Sequence, residues 1–173
     1  MTKQELIDLF DRNHRAFAEY IRSLPEDRYA YGRDGKWSAG QQLAHVYLCL
    51  VPMEKALGSK EFILQKFGKI DRPVLGYDLI VDHYLTALAQ GGKAPERFVP
   101  DASAGADKAG LSAGLRELLD RIRQQYEGYT DEELDTLVLP HPLLGPLTVR
   151  EMFYLMAYHA THHHRQTERN LAP

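Results

Sequence analysis

TVREMFYLMAYHATHHHRQTERNL, residues 148–171, places Met152, Leu155 and Met156 on one helical face and continues that row through His159 and His163. Thr148 stands where a helix begins, and Glu151 three residues later completes a capping box. The stretch predicts a helix whose inner face changes from apolar side chains to imidazoles toward its C-terminal end. Four histidines fall within residues 159–164, but a helix sends them in different directions. His159 and His163, four apart, point inward together, while His164 lies well round the helix. His162, on the border of the same face, is an alternative partner for His159 at a spacing of three. An expression tag does not account for the run, because Arg165, Gln166, Thr167, Glu168 and Arg169 continue the helix beyond it.

Further helices follow from the same periodicity. Residues 2–24 space Leu6, Leu9, Phe10, Phe17, Ile21 and Leu24 as an amphipathic helix that Pro25 stops. EDRYAYGRDGK reads as a turn-rich connector, after which Ser38 caps SAGQQLAHVYLCLVPMEKAL, a helix apolar nearly all round and therefore central, with Pro52 as a kink or an early stop. Residues 58–76 form a connector holding the short helical piece EFILQKF, and residues 77–90 a modest extra helix. The segment 91–110, rich in Gly, Ala, Pro and Asp, predicts a long surface loop that serves as a lid or a crossover. Residues 111–128 supply another main helix, TDEELDTL a short polar one, and HPLLGP a turn-rich break with no useful β-alternation. The expected fold is all-α: a four-helix bundle with one or two short extra helices, a single domain over residues 1–173.

Composition narrows the function. The chain has 173 residues with 44% hydrophobic, enough for one buried core, and 21 Lys and Arg against 24 Asp and Glu, a net charge of −3. No basic surplus exists to neutralise a phosphate backbone, so nucleic acid is not an expected partner. The single cysteine excludes an intramolecular disulfide and suits a reducing compartment, so a cytoplasmic location is expected. No stretch approaches the ~20 apolar residues of a membrane span, and no apolar signal core opens the chain.

Two imidazoles at i and i+4 can chelate a metal, but a site takes a third donor from another helix. His45, in the middle of the most apolar helix, is the best candidate, because an unpartnered imidazole is costly to bury there. The expected ligands are His45, His159 and His163. Cys49, one turn beyond His45, either reaches the ion as a thiolate or acts as a nucleophile beside it, against the plainer reading of a small buried hydrophobe. Gln166, one turn beyond His163, is placed to orient a ligand or to serve only as a polar helix end. His14, His83 and His141 read as surface, loop or interhelical contacts, and Trp37 as a core or interface anchor.

The run Trp37-Ser38-Ala39-Gly40-Gln41-Gln42-Leu43-Ala44-His45 resembles the W-S-x-x-[EQ]-x-x-x-H signature of the DinB/YfiT-like superfamily. The C-terminal half resembles it too, with Gly145-Pro146-Leu147-Thr148 leading to His159, His163 and Gln166 in an H-x-x-x-H-x-x-Q pattern. That resemblance implies a four-helix bundle with a three-histidine metal site near one end, and homodimers. His164 stands where relatives often carry Arg, and Arg165 where they often carry Gly, which puts a substrate-contact residue in question and leaves the triad intact. Relatives include bacillithiol S-transferases and a mycothiol-dependent maleylpyruvate isomerase, so the resemblance implies thiol-dependent transfer to a small-molecule substrate.

Three neutral imidazoles leave at least one position open on a divalent ion, with Zn²⁺ expected first and Ni²⁺ second. A low-molecular-weight thiol at that position makes the protein a transferase, and a water makes it a hydrolase that needs a general base. Glu54 and Asp82 are base candidates only as acids within helical segments, where the surface is their ordinary place. The third alternative is a non-catalytic metal- or ligand-binding bundle of the stress-response kind.

Overall fold

The computed structural model describes residues 1–33, 35–101 and 103–172, so Asp34 of the first connector, Ala102 of the 91–110 segment and Pro173 lie outside the described residues. Four long helices carry the architecture: α1 (Lys3–Ser23), α3 (Ala39–Leu57), α6 (Lys108–Glu127) and α8 (Val149–Leu171). α1 packs against α8 and α6, and α3 packs against the same two, which closes the bundle. Shorter helices decorate it: α2 (Glu26–Ala30), α4 (Lys60–Phe67), α5 (Tyr77–Ala89) and α7 (Asp131–Thr136). Among the described residues no helix is long and apolar enough to cross a membrane.

Local chemistry starts these helices where the sequence places the starts. Thr2 with Glu5, Ser38 with Gln41 and Thr148 with Glu151 each form a complete capping box, satisfying two of the amides that a helix N-terminus otherwise leaves bare. α3 neither stops nor shortens at Pro52 but runs on to Leu57. Inside, Leu6, Phe10, Phe17 and Ile21 of α1 meet Phe153 and its neighbours on α8, all essentially sealed from solvent. Phe10, Phe153 and Tyr126 form an aromatic chain with centroids 5.0 and 4.4 Å apart.

Three connectors depart from the sequence reading. α2 occupies part of the expected turn after Pro25, and its Tyr29 is buried. The HPLLGP break is a β-hairpin, β1 (Val138–His141) paired antiparallel with β2 (Gly145–Thr148), Val138 opposite Thr148 and His141 opposite Gly145. Gly145, directly after its three-residue loop, has φ 72°, a left-handed conformation that glycine adopts without strain. Pro140 sits opposite Pro146, so the prolines that argue against a strand occupy one cross-strand pair. The 91–110 segment is no free surface loop: it holds a 3₁₀ turn (Glu96–Phe98), and the carbonyl of Gly105 accepts from the Tyr29 hydroxyl at 2.6 Å. Gly105 lies so close to Gly40 at the start of α3 that a Cβ there would stand 2.5 Å from its carbonyl carbon.

His14 of α1 is wholly buried rather than a surface group, its Nδ1–H donating to the Phe10 carbonyl at 2.7 Å and its Nε2 without a partner. Burial pushes its pKa down to about 4, with the Phe10 hydrogen bond opposing. Because the folded pKa lies below the unfolded one, the unfolded chain takes up the proton first. Stability from this group is full above pH 6.5 and declines as the pH falls toward 4, by on the order of 3 kcal/mol. Urea melts between pH 7 and 4.5 should show that slope, and it should be shallower in His14→Leu; an equal slope in both proteins would exclude the assignment.

Candidate metal centre

α3 and α8 bring three histidines to one point. His159 Nε2 lies 3.3 Å from His45 Nε2 and 3.0 Å from His163 Nε2, and all three residues are buried. His159 and His163, one turn apart on α8, share its inward face as their spacing requires. The outer nitrogen of His45, Nδ1, donates to the carbonyl of Phe98 at 2.7 Å, and that of His163 to Oε1 of Gln42 at 2.5 Å. Trp37 covers the pair, its ring centroid 4.9 Å from that of His45 and stacked on that of His163 at 6.4 Å.

These bonds fix what the inner nitrogens are. With each Nδ1 carrying the ring proton, Nε2 of His45 and of His163 is a bare lone pair, and both face Nε2 of His159. His159 has at most one ring proton to offer there, and its own Nδ1 is buried without a partner among the described residues. Burial holds the pKa of His45 below its ordinary value, and burial followed by the neighbouring imidazoles holds His159 and His163 well below theirs, so the cluster stays neutral. Converging lone pairs in a closed space are the electronic arrangement of a cation site. The spacing fits as well, because ligand nitrogens about 2.0–2.1 Å from one ion stand about 3.0 to 3.4 Å apart in octahedral or tetrahedral geometry. The residues therefore suit a divalent transition metal.

Cys49 joins the cluster: His45, Cys49 and His159 each present a ligand atom within 4.8 Å of the others. Its Sγ lies 3.6 Å from Nε2 and 4.0 Å from Nδ1 of His45, which sets the sulfur against the flank of the ring rather than ahead of the Nε2 lone pair. Burial raises its thiol pKa to about 12. His162 touches His163 and Tyr84 only ring to ring and makes no bond to His159, so the alternative pairing at a spacing of three is not the one formed. His164 stacks on Tyr20 at the bundle surface, and Gln166 takes no place in the hydrogen bonds around the histidines. The orienting amide is Gln42, which the sequence signals only as the residue one turn before His45.

Gln42→Leu removes the acceptor that holds the His163 ring, and metal affinity should fall about 10–100-fold with the fold retained. Competition with a chromogenic chelator measures it; unchanged affinity would make Gln42 irrelevant to the site.

Beside the cluster lies a cavity of about 520 Å³, reached by His45, Cys49 and His159 and walled largely by apolar groups such as Met152, Met156, Phe67 and Leu88. His141, read as a loop or contact residue, lines this cavity, as do Tyr84 and Arg97. Burial lowers the His141 pKa to about 4. Glu54 pairs with Arg121 and Asp82 is exposed, so neither acid reaches the cavity.

No curated protein matches the chain. The profile of the DinB superfamily matches residues 9–167, from the middle of α1 to the last turn of α8, and so takes in His45, Gln42, His159 and His163. With that match over nearly its whole length and a helical bundle around the clustered histidines, the chain belongs to the DinB superfamily.

Proposed function

We propose that the protein is a divalent-metal-dependent enzyme in which His45, His159 and His163 hold the ion, Zn²⁺ by preference, and that it transfers a low-molecular-weight thiol to an electrophilic small molecule. The observation that carries this reading is the convergence of three Nε2 atoms, two of them fixed as acceptors by Phe98 and Gln42, beside an apolar cavity. Bound there, the ion would supply Lewis acidity that lowers the pKa of a neighbouring thiol. The thiol loses its proton to solvent, its sulfur forms a bond to the electrophilic carbon, and the leaving group departs with the electron pair. The chain's own groups orient the ligands, exclude water with an apolar wall and hold the substrate beside the sulfur.

Hydrolysis is the weaker reading, because water activation gains from a general base and none of the described residues lining the cavity is a carboxylate. His141 is too weak a base near pH 7. The test is conjugation of cysteine, glutathione or bacillithiol to 1-chloro-2,4-dinitrobenzene by zinc-loaded protein, next to His159→Ala and Cys49→Ala. Zinc-dependent conjugation, lost in His159→Ala and kept in Cys49→Ala, supports the proposal. Loss in a Cys49→Ala protein that retains its zinc would instead make Cys49 the nucleophile.

A further inference from the structure

Away from the histidine cluster, the polar side chains of the cavity wall, Tyr84, Arg97 and His141, each carry a donor. In the hairpin, Nδ1 of His141 accepts from the amides of both Leu143 and Leu144 at 3.3 Å, so the ring proton sits on Nε2. Neither that Nε2–H nor the Tyr84 hydroxyl finds a hydrogen-bond partner among the described residues, and the two rings meet edge to face, 6.4 Å between centroids. Both line the cavity, so a ligand or a water must accept from them. Burial keeps His141 neutral at physiological pH, which preserves the donor and adds no charge.

Charge has one sign here. Arg97 is the sole charged side chain among the described residues lining the cavity, and Glu96, its neighbour in the 3₁₀ turn, lies outside that lining. The Arg97 guanidinium rests over the Phe98 ring, 4.8 Å from its centroid, and has no ion-pair partner among the described residues. A guanidinium presents a planar fork that matches a carboxylate. The remaining wall is Met, Phe, Leu and Pro, and about 520 Å³ is within the range of small-molecule sites.

We infer that the ligand of this cavity is a small monocarboxylic acid with an apolar body, its carboxylate received by Arg97, with His141 and Tyr84 as further donors of the lining. This deepens the transferase reading by naming its substrate class and rests on that reading only for the reaction, not for the binding. An exposed guanidinium adds modestly to affinity, so the expected selectivity for acid over neutral isostere is about tenfold.

The probes are 4-phenylbutyrate, 4-phenylbutanamide and 4-phenylbutylamine, titrated by calorimetry into zinc-loaded and chelator-stripped protein and into Arg97→Gln and Arg97→Lys. The acid should bind about tenfold tighter than the amide in both forms of the protein, and the amine should not bind. Arg97→Gln should bring the acid to the level of the amide, and Arg97→Lys should restore part of the difference. Equal binding of acid and amide, no binding of either at millimolar concentration, or an acid preference that survives Arg97→Gln would overturn the inference. A preference present only with zinc and indifferent to Arg97 assigns the carboxylate to the ion, which overturns this inference and leaves the metal reading standing. A preference in protein that takes up no zinc supports the inference while the metal reading fails.

Discussion

Alanine at position 159 should leave the purified protein without stoichiometric metal. His159 is the hub of the cluster: its Nε2 is the atom that both other imidazoles approach, at 3.3 and 3.0 Å. Losing it removes a ligand outright, so the loss of affinity should exceed the 10–100-fold expected for an orienting group such as Gln42. Elemental mass spectrometry of untagged wild type, His159→Ala and the His45→Ala/His159→Ala double variant reads the result. Near-stoichiometric metal in wild type and none in either variant is expected, whereas metal absent from wild type after reconstitution would sink the metalloenzyme reading. Relief of the buried imidazole cluster should at the same time soften the acid sensitivity of the metal-free protein, since the pKa values of His159 and His163 are depressed by burial and by one another.

Arg72→Met should cost about 2–3 kcal/mol of stability at neutral pH. Glu151, at the start of α8, is wholly buried, and the Arg72 guanidinium meets it with two nitrogens, at 2.5 and 2.8 Å. The amides of Leu75 and Thr148 also donate to the carboxylate, at 2.7 and 2.8 Å. Burial alone would raise the Glu151 pKa, but Arg72 and these amides outweigh it and hold the value below 4.5. The wild-type contribution is therefore present above pH 4.5 and is lost as the pH falls through the depressed folded value. Without Arg72 the buried carboxylate keeps only its two amide donors and no countercharge, and the deficit should be largest at neutral pH and shrink in acid as Glu151 protonates. Urea melts of both proteins at pH 7 and pH 4 test it; a deficit independent of pH would assign the loss to packing instead.

The bundle was legible because its four long helices advertise themselves by apolar spacing, and two of them also by their starts, Ser38 as a cap and Thr148 with Glu151 as a capping box. The hairpin was hidden because Pro140, Pro142 and Pro146 erase the alternation that marks a strand. Helical spacing paired His159 with His163, and the cost of burying an imidazole in the most apolar helix singled out His45, but no periodicity discloses which carbonyl or amide steadies each ring. Phe98 contributes a backbone oxygen, which carries no residue identity, and Gln42 looks like any polar residue in a helix. His141 read only as a contact residue for a related reason: its place beside the cavity depends on a pairing register formed with residues yet to come in the chain.

Trp37 is the protein's single tryptophan, and it rests against two of the three clustered imidazoles. The molecule thus carries its one tryptophan within ring-contact distance of the imidazoles proposed to hold the metal. A paramagnetic ion such as Cu²⁺ or Ni²⁺ at that point would quench the emission while a closed-shell ion such as Zn²⁺ would spare it. Occupancy and exchange at the centre become readable in real time from native protein, with no label attached.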